Sequence, residues 1–227
     1  SNYFTGRDPN KGACVQACRF KYRIYELEEE MRRGEKYQIY EDEQGSYILN
    51  SKDLCMIEHI PELIDAGISS FKIEGRLKST YYVGIVTRAY RKAIDLYFKN
   101  HTKYEKEKEK FKKELLKVSN RGFTTGFYFH KPTQKTNNYK TSRAKSKWGF
   151  VGCVKKYDKT LRRAQVEVKN YLPINSFIEI VTPDNILKHK LNKMYQNGKE
   201  ITVAHANYMV EIPIDKFVPN DSFLRRR

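Results

Sequence analysis

The sequence predicts an α/β segment followed by an all-β module, and three observations lead there. Residues 46–99 contain two consecutive strand–helix units of similar length, the pattern of a parallel α/β sheet. Residues 101–147 change to a lysine- and glutamate-rich helix and then to a basic stretch of linker composition. From Trp148 onward, short alternating runs are punctuated by turn residues, as a small β-barrel requires. The expected domains are therefore 1–100, the C-terminal part of a TIM-like α/β domain; 101–147, a basic helix and linker; and 148–227, a small β-barrel.

The elements follow in order. The opening reads as irregular and then hairpin-like, through Phe20, Tyr22, Ile24 and Tyr25 to an acidic turn at Glu26, Glu28, Glu29 and Glu30, with a return through Tyr37 to Tyr40. Tyr47-Ile48-Leu49 is a predicted short strand; Ser51 or Asp53 can cap the helix after it, in which Met56, Ile57, Ile60, Leu63 and Ile64 repeat at helical spacing until Gly67. Ile68 to Ile73 is a second predicted strand, and Glu74-Gly75-Arg76 turns into a long helix with Val83, Val86, Tyr90, Ala93, Ile94 and Tyr97 on one face. Two such units cannot cover a parallel sheet, and a closed eight-fold barrel takes about 250 residues, so the chain is expected to begin partway through a domain.

Lys103 to Val118 forms a charged surface helix anchored only by Tyr104, Phe111, Leu115 and Val118. The aromatic, glycine-punctuated run Asn120 to Phe129 comes next. Beyond it, Phe150–Val154, Arg163–Val168, Phe177–Val181, His189–Met194 and Tyr208–Ile212 are the predicted strands of the β-module, with turns at Asp158-Lys159, Asn175, Pro183-Asp184-Asn185 and Asn197-Gly198.

Charge is distributed unevenly. The 227 residues carry +17 overall, yet residues 1–100 hold 16 basic and 15 acidic groups, 101–148 hold 14 and 4, and 149–227 hold 14 and 8. A middle segment with more than half the excess is the footprint of a phosphate-backbone contact surface. Lys131, Lys135, Lys140, Arg143, Lys145 and Lys147, interleaved with Tyr139 and Trp148, are the candidate RNA contacts; a solvated linker is the competing reading. A membrane surface would attract the same charge, but no basic amphipathic helix offers a Trp or Phe face for insertion. No apolar run approaches the ~20 residues that cross a bilayer, and no secretory signal opens the chain, so a soluble, cytoplasmic protein without a membrane partner is expected.

Chemistry concentrates near the start. Cys14, Cys18 and Cys55 lie beside Lys11, Arg19 and Lys52, and neighbouring positive charge favours the thiolate that a soft metal or an iron–sulfur cluster needs. The spacing fits no strict zinc pattern, and three buried thiols remain the alternative. A Cys14–Cys18 disulfide is disfavoured in a reducing compartment. Glu74 and Arg76 leave the C-terminal end of a predicted strand, where barrel enzymes place their chemistry, and Asn50 and Lys52 occupy the equivalent end of the strand before it. These four are the catalytic candidates, with a turn cap or ion pair as the other reading of Glu74 and Arg76. His59, His101, His130, His189 and His205 form no His-x3-His pair and no zinc-protease motif.

In the segments Gly6–Arg19, Asn50-Ser51-Lys52-Asp53-Leu54-Cys55 and Phe71-Lys72-Ile73-Glu74-Gly75-Arg76-Leu77-Lys78-Ser79, and again at Val168-Lys169-Asn170 and Leu224-Arg225-Arg226, the sequence resembles the collagenase-like peptidase family U32. The resemblance implies an N-terminal barrel-like α/β domain and a C-terminal β-barrel similar to the second domain of translation elongation factors. It implies an iron–sulfur centre held by Cys14 and Cys55 together with two cysteines expected upstream of this chain, with Cys18 nearby in a supporting role. It also implies oxygen-independent hydroxylation, in one branch of a tRNA wobble uridine with prephenate as the hydroxyl source. Lys52 and Arg76 would then hold a carboxylate of that co-substrate. The expected partners are tRNA or another RNA, a family paralogue, and the missing N-terminal half of the same polypeptide, without which the fragment is expected to be inactive. A collagenase-like peptidase using Cys14 or Cys18 with a distant histidine, and an RNA-binding adaptor without catalysis of its own, are the alternatives.

Overall fold

A computed structural model describes residues 5–7, 11–13, 15, 27–28, 36–37, 40–42, 45–47, 51–130 and 146–227. The chain divides into two units, one of residues 1–56 and 119–145, the other of 57–118 and 146–227.

In the first unit the described strands are short. β1 (Leu27–Glu28) pairs antiparallel with β2 (Lys36–Tyr37), so that Glu28, expected in an acidic turn, lies in a strand, while the expected arm Phe20–Tyr25 falls outside the described residues; β3 (Tyr40–Asp42) pairs with β4 (Gly45–Tyr47). β5 (Asp53–Leu54) runs parallel to β6 (Phe123–Thr124). That register is pinned twice. Backbone bonds join Asp53 N to Gly122 O at 2.8 Å and Cys55 N to Thr124 O at 2.9 Å, and the Asp53 carboxylate accepts from Arg121 Nε at 3.0 Å and Nη2 at 2.8 Å.

The second unit places helices against a sheet. α1 (Ile60–Asp65) starts with Pro61 in its first turn, where a missing N–H costs nothing, and ends at Gly67, whose φ of +76° suits glycine. α2 (Thr80–Lys99) is capped by Ser79, whose hydroxyl accepts from Tyr82 N at 3.2 Å. Asn100, in extended conformation, closes α2 and caps α3 (His101–Leu115) by accepting from Lys103 N at 2.8 Å. Ile57, Ile60, Tyr81, Ile85, Ala89, Ala93 and Tyr104 are buried, and the Tyr104 hydroxyl donates to Ile57 O at 2.8 Å.

The remaining strands are β7 (Gly149–Asp158), β8 (Arg163–Val168), β9 (Leu172–Pro173), β10 (Phe177–Val181), β11 (Ile186–Lys190), β12 (Tyr195–Gln196), β13 (Lys199–Glu200), β14 (Val203–Ala204), β15 (Met209–Pro213) and β16 (Phe223–Arg226). Eight form one antiparallel sheet in the order β11-β10-β16-β7-β8-β15-β12-β13, and β9 pairs with β14. Alternation fills one face: Ala164, Val166 and Val168 of β8, Val210 and Ile212 of β15, and Leu224 of β16 join one apolar core with Leu172, Leu191 and Met194. Asn197 and Gly198, both at positive φ, make the two-residue turn between β12 and β13, and Asn175 is likewise left-handed.

Helical elements followed by a large antiparallel sheet match the coarse expectation of α/β then β. Three elements differ. Residues 68–73 form no strand; Ile68 is 42% exposed, and β5 has its parallel neighbour in β6 instead. The first helix begins at Ile60 rather than Met56, because Pro61 fixes its first turn there. The strand expected at 189–194 is β11, three residues earlier, registered by its hairpin with β10.

Candidate functional site

Among the candidates, Cys55 and Lys52 flank β5. Cys55 is buried at the end of that strand, and the aliphatic stem of Lys52 lies beside Gly122. Cys55 is a soft donor of the type an iron–sulfur centre takes. Among the described residues no group of three His, Cys, Asp or Glu side chains gathers, so further donors would fall outside them. Cys14, Cys18 and Asn50 lie outside the described residues, as do Lys131, Lys135, Lys140, Arg143 and Lys145.

Glu74 and Arg76 sit in the second unit, at the turn that feeds the Ser79 cap. The Glu74 carboxylate accepts from the Arg76 backbone N–H at 2.8 Å, and this bond, with the nearby cations, holds its pKa below the ordinary carboxylate value. Both residues are exposed. Lys147 is exposed too, and Trp148 is half-buried, with Lys117 Nζ 4.7 Å from its ring centre and the Arg225 guanidinium 5.3 Å.

That indole belongs to a buried ionic cluster. Arg225, fully buried on β16, donates to Glu179 Oε2 from Nη2 at 2.6 Å and from Nε at 2.9 Å, and to Glu114 Oε2 from Nη2 at 2.8 Å. Lys117 bridges the same two carboxylates at 2.7 and 3.1 Å. Burial opposes ionisation of Glu114, yet the bonds from Lys117 and Arg225 outweigh it and hold its pKa below the ordinary value. Arg225 Nη1 meets no hydrogen-bond acceptor among the described residues, and the cation–π contact with Trp148 partly offsets that. Sequence reasoning noted Leu224-Arg225-Arg226 only as a motif; a charged Glu179 inside the apolar run of β10 was the signal that could have marked the cluster.

Cys153, like Cys55, is a buried free thiol among the described residues. Burial pushes its pKa up, the opposite of what a thiolate nucleophile needs. His59, at the N-cap of α1, has its Nδ1 3.0 Å from Glu62 Oε1 of that helix.

A helix-backed antiparallel module thus follows, along the chain, a segment that carries a buried cysteine. The profile of Peptidase family U32 matches residues 1–138 and that of the Peptidase family U32 C-terminal domain matches residues 146–225; the chain belongs to this family. It is 31% identical to the tRNA hydroxylation protein P1 of Bacillus subtilis (strain 168), over 100% of this chain and 53% of that protein. It is also 31% identical to the tRNA hydroxylation protein P of Escherichia coli (strain K12), over 94% of this chain and 55% of that protein. A relative called collagenase, from Porphyromonas gingivalis, is 31% identical over 95% of this chain and 58% of its own length. The chain spans about half the length of the curated relatives it matches.

Proposed function

We propose that this chain is part of a tRNA-modifying enzyme that hydroxylates the wobble uridine without oxygen, taking the hydroxyl group from prephenate. The observation that carries the reading is the match of the whole chain to a relative named a tRNA hydroxylation protein. The +10 excess over residues 101–148 supports it independently, since a tRNA presents a dense array of phosphates. An iron–sulfur cluster would be held by Cys55 and Cys14, with Cys18 beside them, and would supply redox chemistry when bound. Lys52 and Arg76 are the candidate cations for the carboxylates of prephenate, through charge-assisted hydrogen bonds, and Asn50 and Glu74 are the candidate polar groups. Lys131, Lys135, Lys140, Arg143, Lys145 and Lys147 would contact phosphates. In this reading residues 1–100 are the C-terminal part of a TIM-like domain, the eight-stranded sheet is a small barrel of elongation-factor type, and the protein works in the cytoplasm.

The test is complementation in an Escherichia coli strain lacking its tRNA hydroxylation protein P and grown without oxygen. Expressing the complete gene product should restore hydroxylated uridine in nucleoside mass spectra, and Cys55→Ser or Arg76→Ala should lower it at least tenfold. Wild-type levels with Arg76→Ala would remove that residue's role, and no restoration by the wild type would overturn the reading.

A second reading, peptidase activity, rests on the collagenase relative. Gelatin cleavage by the same product, lost on Cys14→Ser, would establish it.

A further inference from the structure

We infer that the exposed ring cluster of Tyr171, His205 and Tyr208, edged by Arg226 and Lys169, is a stacking platform for single-stranded RNA. Two loops build it. Residues 169–171 follow β8, and residues 205–208 lead into β15. Their backbones are locked together: Val168 N donates to Tyr208 O at 2.8 Å and Asn207 N to Val168 O at 2.8 Å. Lys169 N donates to Val151 O at 2.7 Å, and the Asn170 side chain donates to Phe150 O at 2.7 Å. Asn207, at φ +70°, makes the bend that brings Tyr208 back toward His205.

On this rigid base the rings stand out into solvent. Tyr171 is 50% exposed and Tyr208 36%, and His205 is exposed between them. The Tyr171 and His205 centroids are 5.8 Å apart with planes at 56°, and those of His205 and Tyr208 are 5.7 Å apart at 74°. Three rings at steep mutual angles offer separate faces, which suits bases splayed apart rather than an intact duplex. Arg226 lies 5.7 Å from the Tyr171 ring centre. Next to this loop Glu167 is shared by Lys155 and Lys169, so that group of three keeps one net positive charge beside Arg226. Exposed aromatic faces within a cationic rim match bases on a phosphate chain, because the rings take the π-faces while the cations meet the backbone.

Two of the segments by which the sequence resembles its family, Val168-Lys169-Asn170 and Leu224-Arg225-Arg226, meet at this platform. The inference rests on the RNA reading above and gives it a location in the β-module, apart from the basic linker.

The probe is a fluorescein-labelled oligouridylate, titrated with the 227-residue chain and followed by anisotropy. Tyr171→Ala or Tyr208→Ala should weaken binding by about fivefold or more, while Tyr171→Phe and Tyr208→Phe should stay within about twofold of wild type. Arg226→Gln should lower the slope of log Kd against log salt by about 0.7, as expected when one phosphate of a single strand is no longer neutralised. Should the alanine variants unfold, a 4-thiouridine oligomer cross-linked to the wild type and mapped by mass spectrometry should mark residues 169–171 or 205–208. No binding by the wild type, affinity unchanged in folded alanine variants, phenylalanine variants as weak as alanine ones, or cross-links only elsewhere would each overturn the platform. Because the assay involves no hydroxylation, a protein that binds oligouridylate here yet leaves tRNA unmodified would sink the functional reading alone.

Discussion

Gly84 is the fifth of the twenty residues of α2, inside the helix, where a glycine costs about 1 kcal/mol relative to alanine. The residue is there for space. A Cβ at Gly84 would stand 2.4 Å from Phe223 Cε2 and 2.9 Å from its Cζ. The Phe223 ring cannot easily yield, because it packs edge-on against both Tyr81 and Phe150, themselves stacked at 4.9 Å. Overpacking of this kind costs about 1–3 kcal/mol, which outweighs the helical gain. Gly84→Ala is therefore expected to lower the melting temperature in a circular dichroism scan, and Gly84→Ala with Phe223→Leu to recover part of the deficit. A rise in melting temperature for Gly84→Ala alone would show that the helix and sheet faces move apart freely.

At the scale of elements, β16 lies within the sheet between β10 and β7 and turns two faces to different surroundings. Leu224 enters the apolar core, while Arg225 reaches Glu114 of α3 and Glu179, its directly opposed partner on β10. An ionic cluster out of water adds little net stability over an apolar replacement, but removing one member leaves the others uncompensated. Arg225→Met should cost about 3–5 kcal/mol in urea unfolding, and adding Glu179→Leu should restore part of it, since Lys117 still pairs with Glu114. The lowered pKa of Glu114 sets the sign of the pH response. As pH falls below the ordinary carboxylate value of 4.5, the unfolded chain takes up its proton before the folded one, so the stabilisation is complete above that value and disappears on acidification. Glu114→Gln should flatten this part of the stability curve; an unchanged acid limb would show that other carboxylates dominate it.

For the molecule as a whole, the electrostatics are those of a chain with one concentrated basic stretch and a moderately basic β-module. No helix among the described residues is long and apolar enough to cross a membrane. Replacing Lys135, Lys140 and Lys145 together by alanine should weaken tRNA binding and reduce its salt slope by about 2, close to 0.7 for each phosphate no longer neutralised. A slope equal to that of the wild type would show that this stretch is only solvated.

Much of the architecture was legible because its signals are local. Helical periodicity placed α2 and α3, though not the caps Ser79 and Asn100, and alternation with Asn-Gly placed β8, β10, β15 and the β12–β13 turn, since side-chain periods depend only on near neighbours. Ile68 to Ile73 shows where that logic ends: an apolar run becomes a strand only if another strand offers its hydrogen bonds, and β5 found β6 from far along the chain instead. The same limit hid the sites. Glu74 and Arg76 could be named from the chain, but that the Glu74 carboxylate takes up a backbone amide could not. Trp148 could be named from the chain, but that Arg225, seventy-seven positions later, lies 5.3 Å from its ring centre could not. By itself the sequence determined the long helices, most strands of the β-module, the family and the location of the charge, because each is written in contiguous residues. Which rings stay exposed and which cations are consumed by buried carboxylates was decided only by tertiary structure, because those outcomes depend on distances between residues remote in the chain.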